Sequence, residues 1–144
     1  MILLITADDI RSNFTSWFIV HPMIMIALAD RNPTYCQGLK VMLEQVESFR
    51  VVLMPAEGFC LQFANDPSLD ILLADEDLLQ SCMEREGEKR QLKPPPGTIV
   101  LTMDRDELNS PHDGQEMLYK GSGKKEFEER IRKFAFAKSN TTKI

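Results

Sequence analysis

In this chain of 144 residues, two carboxylates, a hydroxyl and an ammonium each lie at or just after the end of a short apolar segment. Asp30, Asp75 and Thr102 each close a short apolar segment, and Lys120 follows another. One carboxylate could attack a phosphoryl group while the other helps to hold a divalent cation, and the hydroxyl and ammonium could stabilise charge on the transferred group. A lone Asp or Thr at a strand end is usually a turn or cap residue. The hypothesis of a phosphoryl-transfer site therefore requires all four side chains to lie close together in the fold.

The apolar segments predict the elements that would bring them together. A continuous apolar run at residues 23–29 is typical of a strand covered on both faces. Further strands are predicted at residues 50–54, 70–74, 98–103 and 116–119, and helices at residues 34–48, 56–65, 78–88 and 124–138. The connections are too long for hairpins, so this alternation indicates an α/β fold with a parallel sheet and helices on both faces. Prolines 94–96 interrupt the chain before the fourth strand.

The carboxyl ends of parallel strands meet at one edge of such a sheet, and chemistry gathers there. We therefore expect Asp30, Asp75, Thr102 and Lys120 to converge. A small α/β enzyme or a nucleotide binder is disfavoured, because the first strand is followed by Asp30–Arg31–Asn32–Pro33 and not by a glycine-rich phosphate loop.

Net charge, cysteine and histidine content and hydropathy argue against several other classes of protein. The formal net charge is −5, which argues against direct nucleic-acid binding by this chain. Three widely spaced cysteines without a CxxC pair predict small buried hydrophobes in a reducing cytoplasm, and two isolated histidines do not suggest zinc. No apolar run approaches the roughly 20 residues needed to span a bilayer, so we expect no membrane partner.

Four segments resemble, in order, parts of the response-regulator receiver domains (CheY-like), and the first resembles the LuxR/NarL-type regulators in particular. The segments read IALADRNPTYCQGLKVMLEQ (26–45), DILLADEDLL (70–79), TIVLTMD (98–104) and MLYKGSGKKEFEERIRKF (117–134). In the first, Asp30 matches the first acid of an acidic pair, and Pro33, Gly38 and Leu39 match the residues that follow it.

The resemblance implies a flavodoxin-like sheet of order 2-1-3-4-5 and a receiver in a two-component phosphorelay. Asp75 would be the phospho-acceptor, Thr102 and Lys120 would contact the phosphoryl group, and Mg²⁺ would be held by Asp30, Asp75 and the main-chain carbonyl of Asp77. The partners would be a sensor histidine kinase or phosphotransfer protein, with a homodimer as a further candidate. Beyond its own phosphorylation and dephosphorylation the domain would not be an enzyme, and it could be the regulatory domain of a transcription regulator.

Three departures from the family pattern concern signalling. Arg31 replaces the second acid, which removes a magnesium ligand and adds repulsion. It could pair with Asp30 or Asp75, or point to solvent. The aromatic residue expected three positions before Lys120 is Met117, whereas Tyr119 is adjacent to the lysine and should face away from it. The segment between Thr102 and Lys120 is also short, with turn-rich residues at 109–114.

These departures keep an alternative open, a pseudo-receiver that serves as an interaction module without phosphorylation. We divide the chain into an N-terminal extension (1–22), the receiver domain (23–138) and a tail (139–144). A second register, with residues 1–9 as the first strand, would leave 23–29 without a place in the sheet.

Overall fold

The computed structural model describes residues 23–86, 94–105 and 115–142. Within these ranges five strands and four helices follow one another along the chain. The strands are β1 (Ile24–Ala29), β2 (Phe49–Leu53), β3 (Ile71–Asp75), β4 (Thr98–Thr102) and β5 (Met117–Tyr119); the helices are α1 (Pro33–Leu43), α2 (Phe59–Ala64), α3 (Glu76–Glu86) and α4 (Lys124–Thr142). The predicted extension 1–22 and the turn-rich residues 109–114 lie outside the described residues.

The strands form one parallel sheet in the order β2-β1-β3-β4-β5, which confirms the predicted flavodoxin-like fold. β1 pairs with both β2 and β3, so Ile24–Ala29 holds the inner position predicted for residues 23–29. The second register, with residues 1–9 as the first strand, concerns residues outside those described. β3 and β4 are almost wholly buried, whereas edge strand β2 alternates between buried and exposed residues. This difference is expected, because only inner strands are covered along their whole length on both faces.

Alternate residues of β1, β3, β4 and β5 feed two separate cores. Leu73, for example, packs on the side of α1 and α4, whereas its neighbour Leu72 packs on the side of α2 and α3. On the first side the fully buried Phe127 and Ile131 of α4 complete the core. The three cysteines are buried, as predicted, and none of them is part of a disulfide. Among the described residues no helix is both long and apolar enough to cross a membrane.

The helix boundaries differ from the sequence expectations for local reasons. α2 begins after Gly58, whose left-handed φ of 77° keeps the preceding residues out of the helix. α3 begins at Glu76, directly after β3, because the Asp75 carboxylate caps it. α4 continues to Thr142 and does not end at Lys138, since neither proline nor glycine interrupts residues 139–142. Part of the predicted tail is thus helical.

We predict that Phe127→Ala lowers the free energy of unfolding by about 3–5 kcal/mol, because it removes a fully buried ring from the core beneath α4. Urea denaturation followed by circular dichroism measures the change. The matched control is Phe136→Ala on the same helix, where the ring is 68% exposed and the loss should be small. Equal losses in the two variants would contradict the packing described for α4.

Candidate functional site

Asp30 lies just beyond the end of β1 and has both of its carboxylate oxygens engaged. Oδ1 accepts the N–H of Asn32 at 2.9 Å, and Oδ2 accepts the ammonium of Lys120 at 2.6 Å. Asn32 in turn caps α1 by accepting the N–H of Tyr35 at 3.1 Å, and Pro33 occupies the first helical position. The turn that starts the helix therefore also fixes the first site carboxylate.

Asp75, the last residue of β3, is held in a similar way. Its Oδ2 accepts the N–H of Leu78 at 3.0 Å, which is the hydrogen bond of a helix N-cap and explains why α3 follows without a loop. Its Oδ1 forms an ion pair with the Lys120 ammonium. The side chain is 17% exposed, compared with 4% for Asp30, so Asp75 is the more accessible carboxylate.

Lys120 follows β5 and links the two carboxylates. Its amide donates to the carbonyl of Thr102 at 2.8 Å, and its ammonium contacts both Asp30 and Asp75. Burial by itself lowers the pKa of Lys120, but hydrogen bonds to the two carboxylates outweigh it and the pKa is raised. The ammonium is thus kept charged between two anions.

Tyr35, in the first turn of α1, contacts Lys120 at two points. Its hydroxyl donates to the Lys120 carbonyl at 3.2 Å, and the Lys120 Nζ lies 5.3 Å from the ring centroid. Burial, and then the charge of Asp30, raises the pKa of the Tyr35 hydroxyl. Tyr35 falls within the helix predicted at residues 34–48, but the sequence did not mark it as a site residue. Its position in the first turn after the Asp30 segment was the available signal.

Thr102 reaches the same edge but uses its hydroxyl elsewhere. The side chain is almost fully buried, its Oγ1 donates to Glu76 Oε1 at 3.2 Å, and it accepts the N–H of Asp104 at 3.0 Å. Within the described part of the chain, this hydroxyl makes no hydrogen bond to Asp75 or to the Lys120 ammonium. Glu76 is a second residue that the sequence reasoning missed.

Arg31 and Asp77 stay at the surface. Arg31 is exposed and forms no ion pair with Asp30 or Asp75, so the interpretation of Arg31 as an internal cation is wrong and Lys120 holds that position. Asp77 lies in the first turn of α3 with its side chain exposed.

The resemblance implies a magnesium ion beside Asp30 and Asp75. Magnesium needs close, near-octahedral oxygen ligation at about 2.1 Å. All four carboxylate oxygens of Asp30 and Asp75 already contact hydrogen-bearing groups, and the Lys120 ammonium lies between the two side chains. The described residues contain no cluster of three or more acidic, histidine or cysteine side chains suited to a metal ion. Magnesium would therefore have to displace the Lys120 ammonium from the two carboxylates, and the set of Asp30, Asp75 and the Asp77 carbonyl stays a prediction.

The two residues near the expected aromatic position lie apart. Met117 is buried in the core beneath α2 and α3. Tyr119 is partly exposed, and the Arg105 guanidinium lies 4.7 Å from the centroid of its ring. A Cβ on Gly121 would stand only 2.5 Å from that ring, so a larger residue at position 121 would require the Tyr119 side chain to shift.

We predict that Lys120→Met lowers the free energy of unfolding at neutral pH by roughly 2–3 kcal/mol, because two neighbouring carboxylates lose their shared cation. Urea denaturation measures the loss. Adding Asp75→Asn should recover part of it by removing one of the two negative charges. Lys124→Met, at an exposed position on α4, is the matched control and should change stability little. A Lys120→Met protein as stable as its control would contradict the proposed charge balance.

Comparison with solved structures identifies the fold. A response-regulator receiver domain from Clostridium thermocellum superposes with a TM-score of 0.59 at 19% identity, covering 83% of this chain and 99% of that one. A CheY-like receiver from Methanospirillum hungatei JF-1 gives 0.54 at 18% identity, with coverages of 83% and 98%. A LuxR-family two-component response regulator from Aurantimonas sp. SI85-9A1 gives 0.55 at 18% identity, with coverages of 80% and 86%.

No family model matches the sequence, and no curated protein matches it either. At identities below one fifth, the structural matches establish the fold and leave the chemistry to be argued from the site. The particular resemblance to LuxR/NarL-type regulators stays a prediction. The chain has the CheY-like fold of response-regulator receiver domains.

Proposed function

We propose that this chain is a receiver domain of a two-component phosphorelay and accepts a phosphoryl group on Asp75 from a histidine kinase or a phosphotransfer protein. The observation that carries the proposal is the ion pair between Asp75 and Lys120 at the carboxyl edge of the sheet. It puts a partly accessible carboxylate nucleophile beside a cation that can neutralise the incoming group. The similarity of the fold to two receiver domains supports this function.

The proposed reaction is a single phosphoryl transfer. An Asp75 carboxylate oxygen forms a bond to phosphorus while the bond from phosphorus to the donor breaks. The donor, a phosphohistidine nitrogen or an acyl phosphate oxygen, leaves with the electron pair and takes up a proton from water where needed. Lys120 remains charged throughout and stabilises the phosphoryl oxygens. No step is assigned to magnesium.

The proposed switch follows from the added charge. A phosphoryl group brings nearly two negative charges to Asp75, which attracts the Lys120 ammonium and offers new acceptors to the Thr102 hydroxyl. Because Lys120 and Thr102 stand at the ends of β5 and β4, their movement would shift the population between two forms of the adjoining surface. That surface would signal to an effector, with transcription regulation as the proposed output.

A pseudo-receiver is the second candidate, and one observation favours it. The Lys120 ammonium already bridges Asp30 and Asp75, and Arg31 stands where the resemblance leads us to expect the second acid of the pair. A pocket balanced in this way is stable without phosphorylation, and the fold could present a constitutive surface to a protein partner.

Incubation with acetyl phosphate, with and without magnesium, should add one phosphoryl group by intact mass, and beryllofluoride should shift NMR signals at the site. Asp75→Asn should abolish both, since a neutral amide is a poor nucleophile. Asparagine also caps helices, so α3 should remain folded. The control is Asp66→Asn in the exposed turn before β3, which should still be modified. If acetyl phosphate adds no mass and beryllofluoride shifts no NMR signal, even at high magnesium, the result would support the pseudo-receiver.

We predict that Arg31→Asp tightens magnesium binding at least about tenfold, because it removes a positive charge and supplies a carboxylate next to Asp30. Titration of the full chain with magnesium, followed by NMR or calorimetry, measures the affinity. Arg31→Ala is the matched control, since it removes the charge without adding a ligand and should give a smaller gain. An affinity unchanged in both variants would show that Arg31 does not weaken the site.

A further inference from the structure

Thr102 is held by a carboxylate that lies beside the candidate acceptor. Its hydroxyl donates to Glu76 Oε1 at 3.2 Å, and Glu76 directly follows Asp75 in the chain. Thr102 is 1% exposed, so water does not readily replace this partner. A buried hydroxyl hydrogen-bonded to a charged group is strongly oriented, because such bonds are stronger than those between neutral groups.

A hydroxyl has one proton and donates to one principal acceptor at a time. As long as Thr102 donates to Glu76, it does not donate to an oxygen on Asp75. Asp75 pairs with Leu101 across β3 and β4, and Thr102 is the next residue of β4, so the hydroxyl lies one residue beyond the acceptor at the same edge of the sheet. A phosphoryl group on Asp75 would then compete with Glu76 for a single proton.

The position of Glu76 is fixed by the start of its helix. Glu76 is the first residue of α3, and Asp75 caps that helix through the N–H of Leu78. The alternative acceptor is thus part of the rigid junction that presents the nucleophile. On the other side, Thr102 accepts the N–H of Asp104, and the next residue, Arg105, stacks on Tyr119. A change in the Thr102 side-chain rotamer would therefore break the hydrogen bond from the Asp104 N–H and allow residues 103–105 to move.

We propose that Glu76 is a positioning residue that holds the Thr102 hydroxyl away from Asp75 in the unmodified protein. The proposal deepens the phospho-receiver function and rests on it for its signalling consequence. Reaching the modified state requires the Thr102–Glu76 hydrogen bond to break, so Glu76 opposes the switch. The residue after the acceptor thereby sets how readily β4 and the following loop respond.

Glu76→Ala should lower the beryllofluoride concentration that gives a half-maximal NMR shift by about tenfold, as expected when one hydrogen bond to a charged acceptor no longer has to be broken. Glu76→Gln keeps an acceptor oxygen but loses the charge, and should give a clearly smaller gain. Glu84→Ala removes the same charge from an exposed position on the same helix and should match wild type. Equal gains in Glu76→Ala and Glu76→Gln, or no gain in Glu76→Ala, would overturn the proposal.

A second readout does not depend on phosphorylation. In the unmodified full chain, the Hα–Hβ coupling of Thr102 reports its rotamer, and the Asp104 amide signal reports its hydrogen bond to Thr102. Both should change in Glu76→Ala and stay as in wild type in Glu84→Ala. Unchanged values in Glu76→Ala would overturn the positioning role. If wild type ignores beryllofluoride while the Thr102 coupling still depends on Glu76, the phospho-receiver function fails and the positioning role stands.

Discussion

The ammonium of Lys120 is the interaction on which the site depends. It contacts Asp30 after β1 and Asp75 at the end of β3, although Lys120 itself follows β5 at the far side of the sheet. The long lysine side chain reaches past the end of β4, where the Thr102 carbonyl accepts the Lys120 amide. Two partly buried carboxylates in this proximity would repel each other strongly in the low effective dielectric of a protein. One shared cation makes the convergence of these strand ends stable.

The site carboxylates also begin the helices. Asp30 fixes Asn32, which caps α1, and Asp75 caps α3 through Leu78. A parallel sheet delivers every strand end to the same edge, and the orphan N–H groups of the next helix face that edge. The candidate site is therefore built from groups that the fold needs in any case. Asparagine at position 75 would keep the helix cap but would lose the carboxylate that the proposed function requires.

The charge balance of the pocket determines which group an incoming phosphoryl group would contact first. A cation supplied by the chain itself takes the position between the carboxylates, and the residue beside Asp30 is the exposed Arg31. The pocket is therefore arranged around an ammonium, with Tyr35 in contact with both the carbonyl and the side chain of Lys120. A phosphoryl group arriving at Asp75 would meet that cation directly, and the response would depend on how readily Lys120 and Thr102 leave their present partners.

The sequence by itself determined the alternation of strands and helices, the parallel sheet, and the convergence of Asp30, Asp75, Thr102 and Lys120 at one edge, because hydrophobic periodicity and connection length leave few alternatives. It also determined the burial of the cysteines. Only the tertiary structure decided that α3 starts at Glu76, that Arg31 stays outside the pocket, and that Tyr35 and Glu76 hold Lys120 and Thr102. These outcomes depend on distances between side chains far apart in sequence, and local patterns carry no information about which of several charged groups lies nearest.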